Sequence, residues 1–99
     1  KNLIMELICR IVKQHALQTR QNTDRNGMPQ TFTSVGLNLA RGTDTLFAEI
    51  TGEDAVKCGQ MSDQYFYKLD LSARAEAWTD KDGNQRNGTR LYVNRIAIL

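Results

Sequence analysis

Apolar and polar residues alternate with a period of two along much of the chain. From Thr31 to Leu39, one face carries Thr31, Thr33, Val35, Leu37 and Leu39, and the other Phe32, Ser34, Gly36 and Asn38. From Thr45 to Thr51, Leu46, Ala48 and Ile50 lie opposite Phe47, Glu49 and Thr51. From Tyr65 to Trp78, Tyr65, Tyr67, Leu69, Leu71, Ala73, Ala75 and Ala77 form the apolar face, and the other ends Lys68, Asp70, Ser72, Arg74, Glu76, Trp78. Successive side chains of a strand point to opposite faces, so this pattern predicts half-buried β-strands. Thr89 to Leu99 is apolar on both faces toward its end, which suits a strand that closes a barrel.

Turn signals separate these segments. Asp24-Arg25-Asn26-Gly27, Arg41-Gly42-Thr43-Asp44, and Asp80 to Asn84 followed by Asn87-Gly88 supply residues that tolerate the positive φ of tight hairpins. The first segment, Leu3 to Thr19, reads two ways. Leu3, Ile4, Leu7, Ile8, Ile11 and Val12 fit a helical stripe, and Met5, Leu7, Cys9 and Ile11 fit a strand nearly as well. Between Gly52 and Asp63, Glu53-Asp54-Ala55-Val56-Lys57-Cys58 has helical character, with Gly59 placed to stop it. With the first segment read as a strand, the order is three strands, a short helix and two strands. That is the order of a five-stranded OB-fold barrel with its helix between strands 3 and 4.

Three aromatics fall on the polar side of their strands: Phe32, Phe47 and Trp78. One exposed aromatic needs no explanation, because it can pack on a loop or cover an interface. Three on one sheet face are better matched to base stacking, which contributes about 1–3 kcal/mol per base and is indifferent to sequence. Arg74 and Lys68 share the face of Trp78, so cations for phosphates accompany the rings.

Length and charge narrow the picture. The 99 residues, with one proline, no internal repeat and no linker, make a single domain over 1–99. A net charge of +2 is not a nucleic-acid signature in itself, since phosphate affinity depends on where the charges cluster. Cys9 and Cys58 lack CxxC spacing and are expected to be free thiols in a reducing, cytoplasmic setting. Asn87-Gly88-Thr89 matches a glycosylation sequon and is read as a turn. No apolar run approaches the roughly 20 residues that span a bilayer, so no membrane partner is expected. His15 is the one histidine, and it reads as a surface or packing residue. There is no zinc-ligand spacing, phosphate-cradling glycine loop or nucleophile elbow. Neither an enzyme nor a metal or cofactor is expected.

The C-terminal stretch, Ala73 to Leu99, resembles the bacterial single-stranded DNA-binding protein family. Trp78-Thr79-Asp80, then Gly83, Arg86, Thr89, Val93 and Asn94, match the family's pattern of W-x-D, glycine turn, arginine, threonine and closing strand without a gap. Asn2 before an apolar strand, Gly27 before a strand ending Leu39-Ala40, and Gly52 after the third strand are similar to other family positions. The resemblance is specific from about Trp78 to Asn94. It implies an OB-fold, a strand over residues 3–19, base stacking by Trp78, and a hairpin that clamps the nucleic acid through Arg86. It also implies a homodimer or homotetramer, for which Ile4 and Ile8 on the second face of the first strand offer a pairing surface. The chain departs from the family in having Thr51 where an aromatic usually precedes the glycine, no aromatic between Arg41 and Thr45, a short region between strands three and four, and no acidic glycine-rich tail. The missing tail implies either that the chain is trimmed at Leu99 or that it is a tailless primosomal, phage or plasmid relative.

The sequence therefore predicts a module for single-stranded DNA with little sequence preference, acting in replication, recombination or repair. Trp78, Phe47 and Phe32 would stack on bases, and Arg74 and Arg86 would hold phosphates. Arg20 and Arg25, in the first hairpin, are weaker candidates for the phosphate grip. The competing expectations are an OB-fold used for protein–protein contact, with the same three aromatics facing a protein, and a helical N-terminus packed on a small sheet.

Overall fold

A computed structural model describes residues 4–99, with the Ile4 side chain outside the description. Asn2 and Leu3, from the expected opening, lie outside the described residues. The elements in chain order are β1 (Ile4–Gln14), β2 (Gln18–Thr23), β3 (Pro29–Arg41), β4 (Asp44–Thr51), α1 (Glu53–Lys57), β5 (Phe66–Thr79) and β6 (Gln85–Ile98). The described residues form an all-β fold with one short helix. The six strands form one sheet in the order β1-β5-β6-β4-β3-β2, and an additional β1–β3 pairing closes it in a ring.

The ambiguous first segment is strand, not helix, and it is broken. β1 pairs with β5 over Ile4–Arg10 and with β3 over Arg10–Gln14, with a register shift between Ile11 and Lys13. A bulge at this point bends a strand and raises its twist, which lets one strand serve two neighbours. After Gln14 the chain turns through residues 15–17 into β2, which among the described residues pairs with β3 alone. The expected five-strand count is corrected to six. Five strands make the ring, and β2 is a side arm. Within the ring, α1 still falls between the third and fourth strands.

The core follows the alternation. Val35, Leu37 and Leu39 of β3, Ala48 and Ile50 of β4, and Tyr67, Leu69 and Leu71 of β5 are buried, joined by Cys9 and Ile11 of β1 and Ala55 of α1. Full burial of an aliphatic side chain contributes about 1.5–3 kcal/mol, so this cluster supplies the main driving force for closing the ring. Cys9 and Cys58 are both free. Gly52, at φ 69°, turns the chain from β4 into α1, and its N–H donates to the Thr33 carbonyl at 3.0 Å. That φ is favoured for glycine and strained for other residues.

Two hairpins project from the ring, β2 with the outer half of β3, and the outer halves of β5 and β6. The radius of gyration, 15.1 Å, exceeds the roughly 13 Å of a compact 100-residue domain for this reason. It is also why Ala75 and Ala77, on the expected apolar face, are exposed. Tyr65 precedes β5 and is exposed as well. Both arms end in the same turn. Asp24 Oδ1 accepts from the N–H groups of Asn26 and Met28, and Asp80 Oδ1 accepts from those of Asp82 and Asn84. Gly27 and Gly83 take the positive φ at equivalent positions, 80° and 83°. The shared Asp-basic-x-Gly spacing dictates the shared geometry, because an aspartate side chain can hydrogen-bond the backbone two residues on.

Candidate nucleic-acid interface

Residues opposite one another on paired strands share a sheet face, so the register assembles the site. β2–β3 places Arg20 opposite Phe32 and Gln18 opposite Ser34. β3–β4 places Gly36 opposite Glu49 and Asn38 opposite Phe47. The parallel bridge puts Glu49 beside Tyr92. β5–β6 pairs Ser72 with Tyr92, Arg74 with Arg90, Glu76 with Gly88, and Trp78 with Arg86. Phe32, Phe47, Trp78, Arg74 and Arg86 thus all fall on one face. Phe32, Phe47 and Trp78 are 48%, 50% and 45% exposed.

Two of these rings are seated over glycines. A Cβ built on Gly36 would lie 2.6 Å from Phe47 Cζ, and one on Gly88 would lie 3.2 Å from Trp78 Cζ3. In both cases the glycine is the diagonal neighbour of the aromatic on the adjacent strand, within reach of a large ring. The absence of a side chain lets each ring lie down across the sheet. His15 meets the edge of Phe47, with ring centroids 5.8 Å apart, while a ring nitrogen lies 2.7 Å from Asn38 Oδ1. The histidine therefore braces Phe47, in line with its reading as a packing residue.

The cations are arranged unevenly. Arg74 lies over the ring of Tyr92 at 5.7 Å from its centroid. Arg86 Nε donates to Asp80 Oδ2 at 2.8 Å, across the turn that follows Trp78. Arg86, the amide of Asn84 and then that of Asp82 hold the Asp80 carboxyl below the ordinary carboxylate range, against a smaller opposing desolvation. Arg90 makes ion pairs with Glu76 at 2.8 Å and Glu49 at 3.8 Å. Like charges directly opposite destabilise a sheet, and these partners offset the Arg74–Arg90 pairing. Arg20 has no ion pair among the described residues.

Surface depressions link part of the set. One of about 340 Å³ is lined by Phe32, Arg20, Arg74, Arg90 and Tyr92, among others. Another of about 520 Å³ is lined by Phe47, Glu49, Glu76, Thr89, Arg90 and Leu91. Phe32 and Arg74 are therefore brought together, and Arg90 joins their groove to that of Phe47. Trp78 and Arg86 line neither groove and stand farther out on the β5–β6 arm. An apolar depression between α1 and β6, lined by Ile50, Lys57, Cys58 and Ile96 among others, includes none of the aromatics.

Tyr92 and the central position of Arg90 did not emerge from the sequence. The signal was there as the alternation Gly88, Arg90, Tyr92 leading into Asn94, but the doubly apolar end of the segment hid which side faced the aromatics. Arg20 was legible only as a hairpin cation, and its register opposite Phe32 places it in the groove.

The sequence matches no protein-family model and no curated protein. The bacterial family suggested by Trp78 to Asn94 accordingly rests on that resemblance alone. Among solved structures, the fold is similar to that of a mitochondrial single-stranded DNA-binding protein from S. cerevisiae, with 14% sequence identity and a TM-score of 0.57 over all of this chain and 96% of that one. At that identity the likeness is one of fold.

Proposed function

We propose that this chain is a non-catalytic OB-fold module that binds single-stranded DNA with little sequence preference, in replication, recombination or repair. The observation that carries the reading is the single sheet face on which Phe32, Phe47, Trp78 and Tyr92 alternate with Arg20, Arg74, Arg86 and Arg90. Aromatic rings beside a track of cations are the two components of sequence-tolerant single-strand binding. The fold shared with a mitochondrial protein named for single-stranded DNA binding supports the same reading. The two projecting arms flank the face, so a strand crossing it would pass between the Arg20 side and the Arg86 side.

Self-association belongs to the proposal as well. Ile8, Val12 and Phe66 are exposed, and Ile8 lies on the outer side of β1. Light scattering coupled to sizing is expected to give a dimer or tetramer, and a dispersed monomer would remove this part.

The test of DNA binding is the emission of Trp78, the one tryptophan, during titration with a thymine oligonucleotide at low and high salt. Stacking is expected to quench it, and salt to reverse the quenching by restoring counterions to the phosphates. Unchanged emission and no binding at low salt would turn the face over to a protein partner.

A further inference from the structure

Arg90 lines the depression that holds Phe32 and both of the depressions that hold Phe47. It is placed to touch any strand that visits both rings. Yet its guanidinium is engaged. Nε lies 2.8 Å from Glu76 Oε2 and Nη1 lies 3.8 Å from Glu49 Oε1. With Arg74 paired opposite Arg90, the two carboxylates bring the local charge in the middle of the face to about zero, so they cancel the attraction these cations would offer a polyanion. Among the described residues, Arg20, Arg74 and Arg86, around it, have no such double neutralisation.

We infer that Arg90 is a phosphate-binding residue held in reserve by Glu76 and Glu49, and that a bound strand takes Arg90 from Glu76. The inference rests on the proposed binding of single-stranded DNA. A guanidinium has five N–H donors in a fork that fits a phosphate. The two carboxylates occupy only part of that fork. Their exposures divide the labour: the Glu76 side chain is 37% exposed and has room to swing into solvent, whereas that of Glu49 is 16% exposed and more confined beside Nη1. Exchange at Glu76 is cheap, because solvent-exposed ion pairs contribute little. The same pair adds specificity for charge. A neutral or cationic ligand gains nothing by displacing Glu76, whereas a phosphate replaces one anion with another on the same donor.

The experiment measures anisotropy of a fluorescein-labelled thymine oligonucleotide over a range of salt concentrations. Glu76→Gln keeps shape and removes the competing charge, and is expected to tighten binding by up to about fivefold at low salt. The decisive comparison is made in the Glu49→Gln, Glu76→Gln background, where Arg90 has no carboxylate to neutralise. There, Arg90→Gln is expected to weaken binding and to lower the slope of log K against log salt by about 0.7, the loss of one phosphate contact on a single strand. Arg90→Lys in that background is expected to keep the slope and confirm that the fold is intact. If Arg90→Gln leaves affinity and slope unchanged there, Arg90 serves only to neutralise the two glutamates and the inference is overturned. If the unsubstituted protein and Glu76→Gln both fail to bind, the broader reading falls and takes this one with it.

Discussion

The tip of the Phe47 ring occupies the space a side chain at Gly36 would need. A Cβ there would lie 2.6 Å and 2.8 Å from two ring carbons. The glycine is thus a seat for the aromatic, and the position of Phe47 on the face depends on it.

Gly36→Ala is expected to push Phe47 out of place and to lower stability by about 0.5–1.5 kcal/mol, the cost of an off-rotamer side chain, because the methyl meets the tip of a half-exposed ring and not a locked core. Urea unfolding measures the loss. Phe47→Leu in the same background should recover part of it, because the shorter side chain clears the new methyl. A Gly36→Ala protein as stable as the original would show that the ring moves freely and is not seated.

Alanine at Phe32, Phe47 or Trp78 should weaken oligonucleotide binding by about 1–3 kcal/mol per stacked base. The three rings are half-exposed, so their removal should change the unfolding midpoint far less than the loss of a core leucine would. Anisotropy titrations beside urea unfolding separate the two effects. Equal affinity in all three variants would mean that the rings meet something other than bases.

The β5–β6 arm should loosen in acid. Asp80 has its carboxyl lowered by Arg86 first and by the Asn84 and Asp82 amides. Its contribution is fully present above the ordinary value of 3.8 and is lost as pH falls through the lower folded value. Amide exchange at Asp82 and Asn84, whose N–H groups the carboxylate accepts, should show protection falling below that point when followed against pH. Asp80→Asn should abolish this pH dependence and release Arg86 at every pH.

The two thiols should react differently. Cys9 is 1% exposed, and burial raises its pKa, so little thiolate is available. Cys58 is partly exposed and donates to the Ala55 carbonyl at 3.3 Å. A thiol reagent should label Cys58 in the native protein and Cys9 only on unfolding. Rapid labelling of Cys9 would indicate that β1 opens easily.

The period-two pattern alone determined the buried faces of β3, β4 and the inner half of β5, because a strand with one face on the core must alternate. Asp-x-x-Gly spacing determined the two arm turns, whose hydrogen bonds are local. The shared face of Phe32, Phe47 and Trp78 was legible too, since parity within each strand carries across the sheet once the strands pair. Residues 4–14 show where that reach ended. Leu7, Ile8, Ile11 and Val12 satisfy a helix and a strand alike, and only pairing with β5 and then β3 decided between them. The same is true of Arg90, whose charge is offset by Glu49 and Glu76 on two other strands, and of Gly36 and Gly88, each of which makes room for a ring on the neighbouring strand. Local pattern fixes which side of a strand a residue faces. Which residues meet there depends on register between segments far apart in the chain, and that is decided when the ring closes.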